Sequence, residues 1–197
     1  YFLKFMKMIK PVFLGLVEMN KNNIVHKDIK YNNIVLHKGS FKYIDFGLSS
    51  HLKDKSQFKN RAQREFSTSR LYTWYPVEYL FNYQNSYELQ EEINNLNTKN
   101  IRSGMDVFAE IHHIFNRDFK YLINDAVVKI TNDMINENQM LMGIDVYSLG
   151  ILIPSLFITK SNINYPFENS QMIREFFQLF EKMSEPYYVN RISAQEA

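Results

Sequence analysis

The residues best suited to chemistry lie in two short stretches, His26-Lys27-Asp28-Ile29-Lys30-Tyr31-Asn32-Asn33 and Asp45-Phe46-Gly47. Together they offer a carboxylate to take a proton from a hydroxyl, an ammonium beside it, and two oxygen donors for a hard cation. That is the set phosphoryl transfer uses. Asp28 is the candidate base. Lys30 lies two residues on, so in an extended loop its side chain points to the same side as that of Asp28, where it can steady a transferring phosphate. Asn33 supplies a neutral amide oxygen and Asp45 a charged one. Both suit Mg²⁺, which prefers oxygen and keeps several of its waters. Gly47 lets the backbone turn away from the metal. A lone Asp-Phe-Gly is a common turn, and a lone His-x-Asp says little. Their order, and their separation by one short hairpin, carry the weight.

His26-Lys27-Asp28 stands where the eukaryotic-type protein kinases have His-Arg-Asp, and Asp45-Phe46-Gly47 is their Asp-Phe-Gly unchanged. On these motifs the chain resembles that family, and Lys30 aligns it with the serine/threonine type rather than the tyrosine type. The resemblance implies ATP and Mg²⁺ as cofactors and a protein hydroxyl as acceptor. It makes Asp28 and Lys30 catalytic, gives Lys30, Asn33, Val35 and Asp45 to the nucleotide, and gives Asn33 and Asp45 to the metal. Val35 would lie under the adenine, although a buried strand valine is equally expected without any ligand.

Further matches follow along the chain. Pro76-Val77-Glu78 stands for Ala-Pro-Glu, with Trp74 and Tyr75 before it. Asp145-Val146-Tyr147-Ser148-Leu149-Gly150 resembles Asp-x-Trp-Ser-x-Gly, and Asp145 is then expected to accept backbone hydrogen bonds from the catalytic loop. Arg191 to Glu196 resembles Arg-x-Ser/Thr-Ala-x-Glu, which pairs Arg191 with Glu78. The implied fold class is mainly α: a kinase-like C-terminal lobe with short hairpin strands around the catalytic loop and no N-terminal lobe.

The elements that must position these residues show in the hydrophobic periodicity. Phe2, Phe5, Met6, Ile9, Phe13, Leu16 and Val17 form a helical stripe over residues 2–20, with Pro11 expected to kink it or to start its second part. Ile24-Val25 reads as a short strand. Ile34-Val35-Leu36 and Lys42-Tyr43-Ile44 read as two strands around a turn at Lys38-Gly39-Ser40. Residues 144–158 read as a buried helix that Pro154 bends or ends. Met172, Phe176, Phe177, Leu179, Phe180 and Met183 mark another apolar helix.

Three departures from the family pattern stand out. A long insert, roughly residues 82–142, separates the matching parts. Its second half, Met105 to Ile135, has helical spacing and is expected to give one or two helices and a docking surface for a protein partner. Neighbouring His112 and His113 invite a metal reading, but adjacent helical residues point apart. Secondly, no glycine-rich loop or strand lysine precedes the catalytic loop. The expectation is a single domain over 1–197 that is a piece of a longer chain, inactive by itself. Thirdly, residues 48–75 resemble an activation segment with acceptors at Ser67, Thr68, Ser69 and Thr73, yet Lys27 replaces the arginine that would clamp a phosphate bidentately.

Composition sets the outer limits. The chain has 197 residues, is 45% hydrophobic and has no cysteine, so it can bury a core but can hold neither a disulfide nor a thiolate metal site. Its net charge of +2 gives no basic stripe for nucleic acid. The run Val146–Ile158 is too short for a bilayer, which takes about 20 residues. No membrane or nucleic-acid partner is therefore expected, and no signal peptide is visible. The expected location is the cytoplasm, or that of a host cell for a viral gene. Two other readings compete with the enzyme: a pseudokinase or scaffold that binds through the insert, and, further off, a small-molecule phosphotransferase, which would lack the Pro-Val-Glu and Asp-Val-Tyr-Ser-Leu-Gly segments.

Overall fold

The computed structural model describes residues 2–54, 76, 78, 119–132, 136–158 and 171–197. Helix α1 runs Phe2–Lys21, and the stripe read from the sequence is its inner face, with Ile9, Val12, Leu16 and Met19 buried. Pro11 lies inside this one helix rather than dividing it. The helix stops at two asparagines. The Asn22 amide nitrogen returns to the Glu18 carbonyl at 2.8 Å, and Asn23 takes a left-handed φ of 56°. This is a usual helix exit, because asparagine tolerates that conformation better than most residues.

Strand β1 (Ile24–Val25) pairs antiparallel with β4 (Ser50–His51), which brackets everything between them. Inside the bracket, β2 (Ile34–His37) and β3 (Ser40–Tyr43) form a hairpin in which Val35 faces Lys42. The strands differ from the sequence reading at the turn. Lys38 and Gly39 both have positive φ, 49° and 79°, which is a two-residue turn whose twist matches that of the strands. So tight a turn extends pairing to His37 and Ser40, while Ile44 leaves the strand. Phe41 and Tyr43 lie against α1, and the Phe5 and Phe41 rings stand 6.2 Å apart.

Helix α2 (Phe119–Asn132) lies in the stretch read as an insert, and Ala126 and Ile130 are buried. The earlier part of that stretch, including His112 and His113, is outside the described residues. Helix α3 runs Glu137–Ile158. It begins seven residues before the position read from the sequence, capped by Asn136, whose side-chain oxygen accepts from the Gln139 amide at 3.2 Å. Pro154 lies within it and does not end it. Residues 140–141 and 144–155 are buried, so the helix has no solvent stripe and the core surrounds it. Its window Glu137–Leu156 is long and apolar enough to cross a membrane, contrary to the run-length argument above. Yet 78% of that window is buried inside the protein, which the core helix of a soluble domain also shows.

Helix α4 (Gln171–Met183) buries Ile173, Phe176, Phe180 and Met183 at three- and four-residue spacing. Phe176 meets Phe180 edge-on at 4.5 Å and Phe2 at 5.0 Å, closing α4 over α1. Helices α3 and α4 touch closely at Gly150, where a Cβ would come within 2.7 Å of the Met183 side chain and 2.9 Å of its backbone. Only glycine fits that approach. The core joining α1, α3 and α4 includes Leu16, Leu149, Ile153 and Phe180, and each such side chain contributes roughly 1.5–3 kcal/mol on burial.

Candidate active site

The segment between β1 and β2 carries the first chemical stretch, and its backbone is held from below. Asp145, fully buried on α3, accepts the His26 amide at 2.5 Å and the Lys27 amide at 2.9 Å. Successive amides converge on one anion where the chain turns into the left-handed region. Lys27 is there, with φ at 65°. Burial raises the Asp145 carboxyl above its ordinary value, and the two amides it accepts partly offset this. The expectation that Asp145 takes backbone hydrogen bonds from this loop is met.

Above that anchor Asp28 is 3% exposed. Its carboxylate accepts from Lys30 Nζ at 2.9 and 3.2 Å and from Asn33 Nδ2 at 2.8 Å. Asn33 Nδ2 also donates to the Asp28 carbonyl at 2.9 Å. Both partners of that nitrogen are acceptors, so the Asn33 amide is oriented without ambiguity and its oxygen is left for another group. A short 3₁₀ turn, Tyr31–Asn33, makes this closure. Lys30 is less confined, with 31% of its side chain exposed against 4% for Asp28.

Asp45 reaches the same region by the backbone. The Ile44 amide donates to the Asn33 carbonyl at 2.9 Å, and the Ile44 carbonyl faces His26 Nε2 at 3.2 Å. Asp45 has a left-handed φ of 59°, and its side chain accepts from the Gly47 amide at 3.3 Å. Such a backbone costs a non-glycine residue of order 1–3 kcal/mol and commonly sits at functional positions. Asp45 is exposed, so its carboxylate is open to a cation. Phe46 packs on the His26 ring at 4.8 Å. Val35 is half-buried on the hairpin face that carries Lys42, away from the core-facing Ile34 and Tyr43.

Asp28, Lys30, Asn33 and the backbone beside Asp45 are thus joined by hydrogen bonds, and Val35 is set on the next strand. No cluster of three or more His, Cys, Asp or Glu occurs among the described residues. A pair formed by an asparagine and one aspartate is no such cluster, and it fits a cation that retains most of its water. The acceptors Ser67, Thr68, Ser69 and Thr73 lie outside the described residues. Sequence reasoning missed Tyr43: its hydroxyl is buried without a hydrogen-bond partner. The phenol is pushed well above its ordinary value, first by burial and then by the charge of Asp145. An aromatic with a polar tip in a strand otherwise read as core was the available signal.

The second anticipated contact, far in sequence, is also formed. Arg191 Nη2 stands 2.6 Å from Glu78 Oε1, with side chains 1% and 0% exposed. Arg191 also donates to the carbonyls of Gly143, Glu185 and Pro186 and lies over the Tyr147 ring at 4.9 Å. Burial raises the Glu78 carboxyl above its usual value despite the attraction of Arg191.

Residues 4–80 match the family model described as the protein kinase domain. The chain is 40% identical over 60 residues to calcium-dependent protein kinase 4 of Plasmodium berghei, an overlap of 28% of this chain and 11% of that protein. It is 32% identical over 56 residues to the CTD kinase subunit alpha of Saccharomyces cerevisiae, again 28% of this chain and 11% of the relative. A longer overlap, 27% identical over 181 residues, links it to a protein named as a serine/threonine-protein kinase in Acanthamoeba polyphaga mimivirus, covering 91% of this chain and 26% of the viral protein. The chain therefore spans between a tenth and about a quarter of the length of these relatives. No solved structure matches it significantly. The family match and the kinase relatives support a protein kinase family, and the helix-rich fold with a few small strands agrees with it.

Proposed function

We propose that this chain carries the catalytic loop and metal-binding segment of an ATP-dependent protein serine/threonine kinase. The observation that carries the reading is the buried Asp28 carboxylate, held by both Lys30 and Asn33 and linked through the Asn33–Ile44 backbone bond to Asp45. Asp28 takes the proton of a protein hydroxyl. Lys30, partly exposed and on the same carboxylate, moves to the phosphoryl group as its charge shifts. The free oxygen of Asn33 and the carboxylate of Asp45 would hold Mg²⁺, which supplies charge neutralisation between phosphates when bound. Val35 offers an apolar rest for the adenine.

The test is phosphate transfer from ATP to a serine/threonine protein substrate by the full-length protein, wild type against Asp28→Asn. General-base catalysis contributes about 10²–10⁴-fold, so turnover falls by that order while nucleotide binding stays. Equal turnover in both proteins removes Asp28 from the chemistry. Nucleotide binding that ignores Mg²⁺, with no transfer, supports the scaffold reading instead.

A further inference from the structure

Behind the catalytic loop two buried polar atoms are complementary and unmatched. His26 lies fully buried with Nε2 at 3.2 Å from the Ile44 carbonyl. A carbonyl only accepts, so Nε2 carries the proton, and Nδ1 of the neutral ring is an acceptor. That Nδ1 has no hydrogen-bond partner. The Tyr43 hydroxyl is a donor, equally buried and equally without a partner. The two rings are neighbours, with centroids 5.7 Å apart. Asp145 already holds the His26 amide.

The Tyr43 ring is held on one side by α1. Its edge lies on the backbone of α1 at Gly15, where even a Cβ would stand 3.2 Å from Cε2. Gly15 admits the ring and pins it. One small molecule with two donors and an acceptor completes the set. It accepts from the Tyr43 hydroxyl, donates to His26 Nδ1, and donates to a spare lone pair of the Asp145 carboxylate. Buried waters typically make about three such bonds to groups otherwise unsatisfied.

We infer that Tyr43, His26 and Asp145 hold one buried water behind the catalytic loop, and that Tyr43 thereby acts as a positioning residue for His26. His26 in turn holds the Ile44 carbonyl, next to Asp45, and packs on Phe46. The water fixes the imidazole tautomer that the Ile44 contact needs. The placement of Asp45 by this route bears on catalysis only through the phosphoryl-transfer reading above. The water and the tautomer do not depend on that reading.

Tyr43→Phe in the full chain separates the alternatives by sign. An isolated buried hydroxyl is costly, so its removal makes the protein more stable. If the hydroxyl holds a water, its removal takes one of the water's three partners, and the folding equilibrium constant falls by up to roughly tenfold. Nitrogen-15 spectra of the His26 ring give the readout that a merely packed tyrosine would not move. Nδ1 is expected unprotonated in the wild type and shifted in Tyr43→Phe, with Nε2 still protonated. A crystal structure is expected to show a water within about 2.7–3.2 Å of all three groups. A more stable Tyr43→Phe, an unmoved Nδ1 resonance, or a dry site overturns the proposal. Loss of the water in Tyr43→Phe with phosphate transfer unchanged overturns the positioning role but leaves the water.

Discussion

Two clusters in this protein each set a buried carboxylate against a cation, and they differ in how open the cation is. Asp28, Lys30 and Asn33 lie within five residues of one another, and the cluster opens to solvent through Lys30. Arg191 and Glu78 come from distant parts of the chain, and both side chains are essentially sealed. In the first, the aspartate is buried but the Lys30 side chain is partly exposed, so its ammonium stays within reach of solvent. In the second, the guanidinium is spent on three carbonyls, a carboxylate and an aromatic face. Burial of the carboxylate therefore does not separate the two clusters; exposure of the cation does, 31% for the Lys30 side chain against 1% for that of Arg191.

The largest expected effect tests the open cluster. Asp28→Asn should lower turnover by about 10²–10⁴-fold with little change in melting temperature, since the amide keeps the shape of the site. A collapse in stability as large as that of the sealed cluster would erase the distinction.

Breaking the sealed cluster should do the reverse. Arg191→Ala leaves Glu78 as an unpaired buried charge, at a cost of about 3–5 kcal/mol, a large share of the roughly 5–15 kcal/mol that holds a domain together. Glu78→Ala should cost a similar amount. The double variant should be less unstable than the sum of the two, read from denaturant unfolding. Strictly additive losses would mean that the ion pair is not one interaction.

Asp145 lies between these extremes. It is as buried as Glu78, yet its hydrogen bonds go to the loop that carries Asp28. Asp145→Ala leaves two amides without their acceptor, at about 1–3 kcal/mol. It should also lower turnover, which Arg191→Ala should do only in proportion to unfolding. A variant with full activity per folded molecule would separate the anchor from the site.

The smallest effect is a pH slope. The folded-state values of Glu78 and Asp145 are raised above the ordinary 4.5 and 3.8, chiefly by burial. Between the ordinary and the raised values the folded protein holds protons that the unfolded chain has released. Stability therefore falls as pH rises through that window, and the cost is fully present above it. Glu78→Gln should flatten its part of that slope in melting temperatures measured from acid to neutral pH. An unchanged slope would assign the titration to other groups.

How much of this was legible in the sequence depends on how far apart the interacting residues are. The Asp28–Lys30–Asn33 cluster is local, so residue type and spacing already announced it. The stripes of α1 and α4 were legible for the same reason, because helical periodicity is written in consecutive residues. Glu78–Arg191 and Asp145 were reached only through resemblance to a family, since nothing in either local stretch names its distant partner. The start of α3 was misjudged because Asn136 caps a helix whose first turns look like an insert, and burial then keeps Pro154 within it. The hairpin ends moved because two consecutive left-handed residues allow a tighter turn than the sequence pattern suggested. Above all, the sequence showed which groups could ionise or donate, and tertiary structure decided which of them are satisfied. Tyr43 is an ordinary strand aromatic by sequence. Only the packing of Gly15 and His26 around it turns its hydroxyl into a buried donor that needs an acceptor, because desolvation acts on what surrounds a group in space rather than on its neighbours in the chain.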